Sequence, residues 1–437
     1  MSINGTIPFA LASSSSCENI HACRTLFNIV WSSFVTILAC VWTAVHRNIP
    51  GPAGARESRL QHVATRGLEM AKIFMVTLLV PEWVLAWAVR QFLNARDLGR
   101  ELQAAREEAE RAWDSAGEGK IGYQQVLLAG HKRAGRLNGR WTTRHGFFVI
   151  MGGFHLYDDG VPQHPLSRED VIYLVKTGDI VPPTEEEIRG WSQGDALSKT
   201  IAVFQTLWFV IQCIARRAQD LPVTQLEVMT LAYTTITVAM YVVWWYKPKN
   251  VGGPVRVTVT ALPVPAPVRP APRWKYWHAV VVIAGMQDPF VDLRQQSRIP
   301  TFFSGTFQER NEYYADVLAL GAAMVFGAVH CAAWDYVFPS GAERFMWRLS
   351  SISIIAVPGV LLVALLAWLP TEMGRPDWRR RKGKVILILM SVVTVLSGLV
   401  YVAARILLIT LSFTTLRSLP YVAYESIQWT LFVPHFT

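Results

Sequence analysis

Long uncharged apolar runs alternate with polar connections along the chain, and this pattern is its clearest structural signal. About 20 apolar residues at 1.5 Å per residue cross a hydrocarbon layer of roughly 30 Å, so a run close to that length predicts a transmembrane helix. Such runs lie at residues 25–45, 70–89, 200–215, 226–246, 317–338, 352–369 and 385–413. A shorter apolar stretch, 274–286, is interpreted as interfacial or re-entrant. The pattern therefore predicts seven spans, or eight if that stretch also crosses.

A polar insertion, 93–199, separates the second and third spans. Arg, Glu and Ala alternate over 95–113, which is typical of a solvated helix with ion pairs one turn apart, and this predicts a stalk that continues the second span. The β-rich segments on either side of Gly152-Gly153 predict a hairpin. Ser167 and the segment 182–191 each begin a short helix. The predicted fold is an all-α polytopic membrane protein with a small α+β soluble insertion.

The remaining segments divide the chain further. The predicted units are an N-terminal segment 1–24, two helices in 25–92, the insertion 93–199, two helices in 200–246, a Pro-rich linker and interfacial segment 247–316, three helices in 317–413, and an amphipathic tail 414–437.

Composition agrees with this reading, since the 437 residues are 51% apolar and only 17% charged. The net charge of +10 would suggest nucleic acid in a soluble protein. Here basic residues gather at span ends and in the loop 375–384, so we expect them to meet an anionic lipid surface instead.

Orientation follows from the same loop. The positive-inside rule assigns residues 375–384 to the cytosol, and counting back through seven spans assigns the insertion and the N-terminus to the same side. Two features favour the opposite sense for the first part of the chain: several arginines follow the first span, and Asn4-Gly5-Thr6 is a glycosylation sequon. A spanning 274–286 segment would remove this conflict.

Five cysteines are present and none forms a CxxC pair, so no structural metal site is predicted. Cys17 and Cys23 flank His21, and they are compatible with a disulfide, a metal site or two free thiols. The other three cysteines lie in apolar runs and are expected to be small core residues.

No motif for phosphate cradling, zinc hydrolysis or a serine nucleophile is present, and no cofactor is predicted. The informative residues are polar groups inside apolar runs, because each one costs free energy in lipid unless it is paired or hydrated. These residues are Glu82, Gln205, Gln212, Glu227, His330, Asp335 and Arg405.

Each of these residues also has a purely structural interpretation. Glu82 follows Pro81, which frees a carbonyl one turn earlier, yet Glu82 could simply tie helices together through an ion pair. His330 could be a hydrogen-bonded core residue, and Asp335 could lie in the membrane interface. Arg405 is the most costly of the group, and a buried ion pair would account for it.

Several strings of this sequence resemble a large group of uncharacterised fungal polytopic membrane proteins. The strings are CVWTAVHRNIP, DALSK, QTLWF, LPVTQLEV, WWYKP, FGAVHCAAWDY and LRSLP. The resemblance covers nearly the whole chain and supplies no activity. It implies polar landmarks at His46, Glu82, Gln205, Arg216, Glu227, Trp244, Lys247, His330, Arg405 and Arg417.

Three functional hypotheses follow. The first is a channel, transporter or sensor-like protein in which Glu82, His330 and Arg405 line a polar path. The second is a membrane-embedded enzyme, such as an isoprenoid cyclase or a lipid-modifying enzyme, with Glu82 or Asp335 as the general acid and His330 as a further candidate catalytic residue. The third is a membrane scaffold for a protein partner. The expected partners are the bilayer and a lipophilic small molecule or an ion, and the expected location is the plasma membrane or an endomembrane.

Overall fold

The computed structural model describes residues 23–52, 59–116, 139–192, 195–259, 262–264, 287–305, 309–372 and 383–429. Most of them are helical. The helices are α1 Leu26–Ala44, α2 Arg59–Leu79, α3 Pro81–Ala116, α4 Thr143–Ile150, α5 Arg168–Thr177, α6 Glu185–Trp191, α7 Asp195–Ala218, α8 Gln225–Val243, α9 Glu309–His330, α10 Gly341–Glu372 and α11 Gly383–Thr414. The strands are β1 Phe154–Asp158, β2 Val161–Pro165 and β3 Val255–Val257.

Several helices begin at side chains that cap their free N–H groups. Ser167 and Thr184 accept hydrogen bonds from the backbone three residues later, and the acid at that third position bonds back to the cap. Thr224 forms the same box at the start of α8. Each box satisfies two backbone donors, which fixes where the helix starts. The short helices predicted at Ser167 and in 182–191 are thus confirmed.

Among the described residues, six helices are long and apolar enough to cross a membrane. They overlap the first and the last five of the seven predicted spans. The remaining one, 70–89, is not a single helix: α2 and α3 meet at a bend of 111°. The count reaches seven only if this bent pair is one span.

The break has a local cause. Pro81 has no N–H to bond back into α2, and its ring clashes with the preceding turn, so α2 cannot continue through it. Instead Val80 closes α2 by bonding to Val76, and Trp83 bonds to Val80 at the start of α3.

Apolar side chains cover the outside of the bundle. On α1 they form a stripe that is 38 to 67% exposed and recurs every three or four residues, at Phe27, Trp31, Phe34, Leu38 and Trp42. A similar stripe on α7 includes Ile201, Phe204, Trp208, Ile211 and Ile214. Inside the bundle, α8 packs against α1, α3, α9 and α11.

The insertion folds around the second half of α3, which packs against α4 and α5. Its sheet has the order β2-β1-β3, with β1 antiparallel to β2 and parallel to β3. The predicted hairpin is misplaced, because residues on the N-terminal side of Gly152 form α4 and the turn lies at Asp159-Gly160. Gly152 instead ends the helical segment with φ +89°, a conformation that favours glycine.

The two ends of the bundle differ. At the sheet end, the Ile49 N–H donates to the Met151 carbonyl, and Arg298 pairs with Glu69 at 2.8 Å. At the opposite end, here the far end, Arg24 beside the N-terminal segment donates to the Ala423 carbonyl of the tail at 2.7 Å. The described parts of both termini therefore lie at the far end.

Several sequence predictions fall partly or wholly outside the described residues. They concern the N-terminal segment 1–24 with the sequon at Asn4 and with Cys17, the Pro-rich linker with the segment 274–286, most of the basic loop 375–384 and the last part of the tail, 430–437.

Candidate functional site

The bent pair brings its tip into the middle of the bundle. Glu69 on α2 lies at the sheet end beside Arg298, and α3 returns to that end, where Asn94 donates to the Ser304 carbonyl at 3.0 Å. Ten residues separate Glu69 from the end of α2, which corresponds to about 15 Å at 1.5 Å per residue. That depth is about half of a hydrocarbon layer.

Arg405 of α11 binds the tip. Its Nε donates to the Leu79 carbonyl and its Nη2 to the Leu78 carbonyl, both at 3.2 Å. Nη2 also donates to the Tyr233 hydroxyl of α8 at 2.7 Å. The guanidinium lies 4.2 Å from the centre of the Phe326 ring. The broken helix therefore offers carbonyls that a buried arginine satisfies, and the contact joins α2, α8, α9 and α11.

Glu82 and His330 converge on the same place. Arg405 interacts electrostatically with both, and the Tyr401 hydroxyl lies beside the Glu82 carboxyl. His330 is fully buried, and its Nδ1 pairs with the Phe326 carbonyl at 2.9 Å. Because a carbonyl oxygen only accepts, Nδ1 carries the hydrogen and Nε2 is left as an acceptor. We call Glu82, Tyr233, His330, Tyr401 and Arg405 the central polar cluster.

The central polar cluster has unused hydrogen-bonding capacity. Among the residues that the structure describes, Glu82 Oε2, His330 Nε2 and Arg405 Nη1 have no hydrogen-bond partner. Burying such atoms without partners costs free energy, so buried groups of this kind are normally satisfied by water or a ligand. The cluster offers both acceptors and a donor to a small polar molecule.

The other predicted polar residues do not join this cluster. Gln205 donates to Thr36 of α1 at 3.1 Å, and Gln212 is half-buried on the same helix. Glu227 caps α8 at the far end and pairs with Arg24. Gln205 thus joins α7 to α1, and Glu227 joins the start of α8 to the segment before α1.

Asp335 lies outside the central polar cluster as well. Its side chain is 88% exposed, and it pairs with Arg348 at 3.1 Å. Such an exposed ion pair is worth about 1 kcal/mol or less.

Cys23 is disulfide-bonded, while Cys40, Cys213 and Cys331 are free. Cys17, the partner that the sequence offers, lies outside the described residues. Among the described residues, no group of three His, Cys, Asp or Glu side chains could hold a metal ion.

A buried lysine is a site that reasoning from the sequence missed. Lys247 Nζ donates to the His46 carbonyl and to Gln91 Oε1, the latter at 2.7 Å. It lies between the rings of Trp87 and Trp244, 4.8 and 4.9 Å from their centres. Burial lowers the pKa of Lys247 well below its usual range. The resemblance named Lys247, but nothing in its local sequence indicates burial.

His46 lies in the same region and is fully buried. Burial, followed by the positive charge of Lys199, lowers the pKa of His46 well below its usual range. The imidazole therefore stays neutral, and its ring centre lies 5.5 Å from that of Trp244. The end of α1 is thereby held against the end of α8.

A second missed group lies nearer the sheet than the central polar cluster. Arg90 of α3 pairs with Glu312 at 2.6 Å and with Asp316 at 2.5 Å, both on α9. Asp288, in the loop between β3 and α9, interacts electrostatically with Arg90 and Glu312. Its sequence context, a polar segment after the Pro-rich linker, gives no sign of burial, yet Asp288 is only 7% exposed.

The geometry thus defines a helical protein with apolar outer faces, a broken helix pair and a buried polar cluster at its tip. The chain belongs to a family of unknown function (DUF8562), whose model matches residues 11–262 and 304–436. This confirms the expectation of an uncharacterised family. No curated protein and no solved structure matches the chain.

Proposed function

We propose that the protein is a multi-pass membrane protein whose apolar outer faces contact lipid. The exposed stripes on α1 and α7 would be costly in water, because large apolar patches on soluble proteins are normally covered. In a bilayer the same side chains are well solvated, and helices satisfy all their backbone groups internally. The six long apolar helices support this reading.

We further propose that the bent pair α2–α3 is re-entrant and does not cross. Both of its outer ends lie at the sheet end, which leaves six crossings. Residues 375–384 connect the sheet-end termini of α10 and α11, so the positive-inside rule assigns the sheet end to the cytosol. Both chain termini are then outside, which suits the sequon at Asn4 and the disulfide at Cys23. The conflict in the seven-span count is thereby removed.

Cysteine labelling tests this topology. We expect an impermeant maleimide to label Tyr421→Cys on intact cells and to label Glu186→Cys only after permeabilisation, because the two exposed positions lie at opposite ends. The unmodified protein controls for labelling of its native cysteines. Labelling of both variants from the same side would refute the six-crossing topology.

We infer that the protein is a channel or transporter for a small polar solute or ion. The observation that carries this inference is the convergence of Glu82, His330 and Arg405 on one buried place with unused hydrogen-bonding capacity. Discontinuous helices that offer backbone groups and ionisable side chains near the bilayer midplane are the usual construction of transport sites. Intramembrane ionisable residues are also costly unless they are used or paired.

Flux measurements test this function. Purified protein in proteoliposomes should carry protons, alkali cations, halides or small neutral solutes above the rate of empty vesicles. Glu82→Gln should reduce that flux at least tenfold, because it removes the charge that faces Arg405. Asp335→Asn makes the same chemical change at an exposed position and should leave the flux unchanged. The absence of flux for every solute class, or an unchanged flux in Glu82→Gln, would overturn the proposal.

The enzyme and scaffold hypotheses have less support. Asp335, one of the two candidate general acids, is exposed and paired with Arg348. Glu82 is more simply explained as part of the central polar cluster.

A further inference from the structure

The charged group between the sheet and the central polar cluster contains more acid than base. Asp288, Glu312 and Asp316 supply three carboxyl groups, and Arg90 supplies one guanidinium. Asp288, Glu312 and Arg90 are each at least nine-tenths buried. If all three acids were ionised, the group would carry a net charge of −2. The Asp316 side chain is 36% exposed and stays partly solvated. The buried Asp288 and Glu312 still exceed the one buried guanidinium by one negative charge, which is costly unless a positive ligand offsets it.

One carboxylate oxygen is left open for that ligand. Asp288 Oδ2 accepts hydrogen bonds from the Ser304 N–H at 2.9 Å and from the Ser304 hydroxyl. Asp288 Oδ1 has no hydrogen-bond partner among the residues that the structure describes. Oδ2 is thus satisfied by Ser304, and the charged groups that interact electrostatically with the Asp288 carboxyl are Arg90 and Glu312.

The charged groups near Asp288 come from two helices, α3 and α9. Arg90 faces it from α3, and Glu312 and Asp316 face the shared guanidinium from α9. In the next polar layer Asn311 donates to Asn94 and to Asp97, and Asp97 is itself paired with Arg96 and Arg100.

The ligand that fits is a proton. The described carboxyl groups are not arranged to enclose a metal ion. When two buried carboxyl groups depend on one compensating arginine, ionising both is costly, and one of them can hold a proton instead. Glu312 pairs with Arg90 and Asp288 interacts electrostatically with it, so the guanidinium compensates the negative charge that remains.

We propose that Asp288 and Glu312 form a proton-binding site that takes up and releases one proton at the sheet end of α3 and α9. Burial raises the pKa of Asp288 to about 7, against the lowering by the Ser304 bonds and by Arg90. Arg90, which pairs with Glu312, lies eight residues from Glu82 along α3, which corresponds to about 12 Å. Coupling of this proton to flux rests on the proposed transport function, whereas the proton binding does not.

Infrared difference spectroscopy tests the proton itself. Purified protein in detergent is titrated between about pH 5 and pH 9, two units on either side of the expected midpoint. We expect a protonated carboxyl C=O band that disappears with a midpoint near pH 7 and shifts to lower frequency in D₂O. Asp288→Asn should abolish the titrating band. Asp335→Asn is the matched control and should retain it.

A second variant separates this role from a merely structural one. Ser304→Ala removes one hydrogen bond that stabilises the Asp288 carboxylate, so the midpoint of the band should move to higher pH. This result decides the question even if Asp288→Asn does not fold. No titrating band in the unmodified protein, or an unchanged midpoint in Ser304→Ala, would overturn the proposal. Either result leaves the flux test of the central polar cluster unaffected.

Discussion

Replacing Arg405 with methionine is the sharpest test of the central polar cluster. Methionine keeps much of the side-chain volume but removes the donors to the carbonyls of Leu78 and Leu79 and to the Tyr233 hydroxyl. It also leaves the Glu82 carboxyl buried without its positive neighbour. Breaking a buried charge pair from one side costs about 3–5 kcal/mol. We therefore expect Arg405→Met to lower the free energy of unfolding by that amount.

The assay is equilibrium unfolding in mixed detergent micelles with increasing dodecyl sulfate, followed by the fluorescence of the 17 tryptophans. The double variant Glu82→Gln/Arg405→Met completes a mutant cycle. Because it removes the isolated carboxylate, it should be more stable than the sum of the two single changes predicts. We expect a coupling free energy of about 1–3 kcal/mol, the usual range for residues of one buried network.

Additivity would refute this reasoning. If the double variant loses as much stability as the two single variants together, the charge of Glu82 does not depend on Arg405, and the cluster is two independent contacts. A single Arg405→Met variant as stable as the unmodified protein would be equally incompatible with a buried guanidinium that binds the helix break.

Three further predictions concern the sheet end. The pKa of Asp288 is raised from 3.8 to about 7 on folding, so between these values the folded protein holds a proton that the unfolded chain lacks, and its stability should fall as pH rises from about 4 to 7. Thermal unfolding midpoints of Asp288→Asn should not fall with pH in this range. A fall identical to that of the unmodified protein would contradict the assignment. Lys247→Met removes the lysine donor from the buried His46 carbonyl and one of the two donors to Gln91 Oε1, which keeps the Trp244 indole N–H. It should cost about 1–3 kcal/mol, measured by the same micelle unfolding. Lys176→Met, at an exposed ion pair, should cost less than about 1 kcal/mol, and equal losses would exclude a special role for Lys247. Gly146→Ala places a methyl group 1.9 Å from a backbone oxygen of α3 and should abolish folding of the insertion, which is detected as rapid proteolysis. Gly190→Ala is the control, because its methyl group meets open space, and it should resist protease like the unmodified protein.

Much of the fold could be predicted because its signals are local. The long apolar runs and the capping residues Ser167 and Thr184 act over a few residues, and the corresponding helices are present. The bent pair could not be predicted as such. An apolar run reports how much of the chain prefers lipid, but not whether the chain turns back after Pro81, which depends on what binds the freed carbonyls.

The residues of the candidate site could likewise be predicted only in part. Glu82, His330 and Arg405 were detectable because an ionisable residue in an apolar run is conspicuous. Lys247 and Asp288 lie in polar connections, where charged residues are ordinary. Their burial comes from contacts far away in the chain, such as Lys247 with His46, and no window of sequence reports it.

The 36-residue helix α3 has a mechanical consequence. A continuous helix of this length extends about 54 Å and bends little, so a movement at one end is transmitted to the other. One end carries Glu82 at the tip of the broken pair, and the other is clamped by the sheet subdomain. Any ligand that tilts the subdomain by a few degrees displaces Glu82 relative to Arg405, which is anchored on a different helix. The position of the insertion is therefore mechanically coupled to the geometry of the central polar cluster.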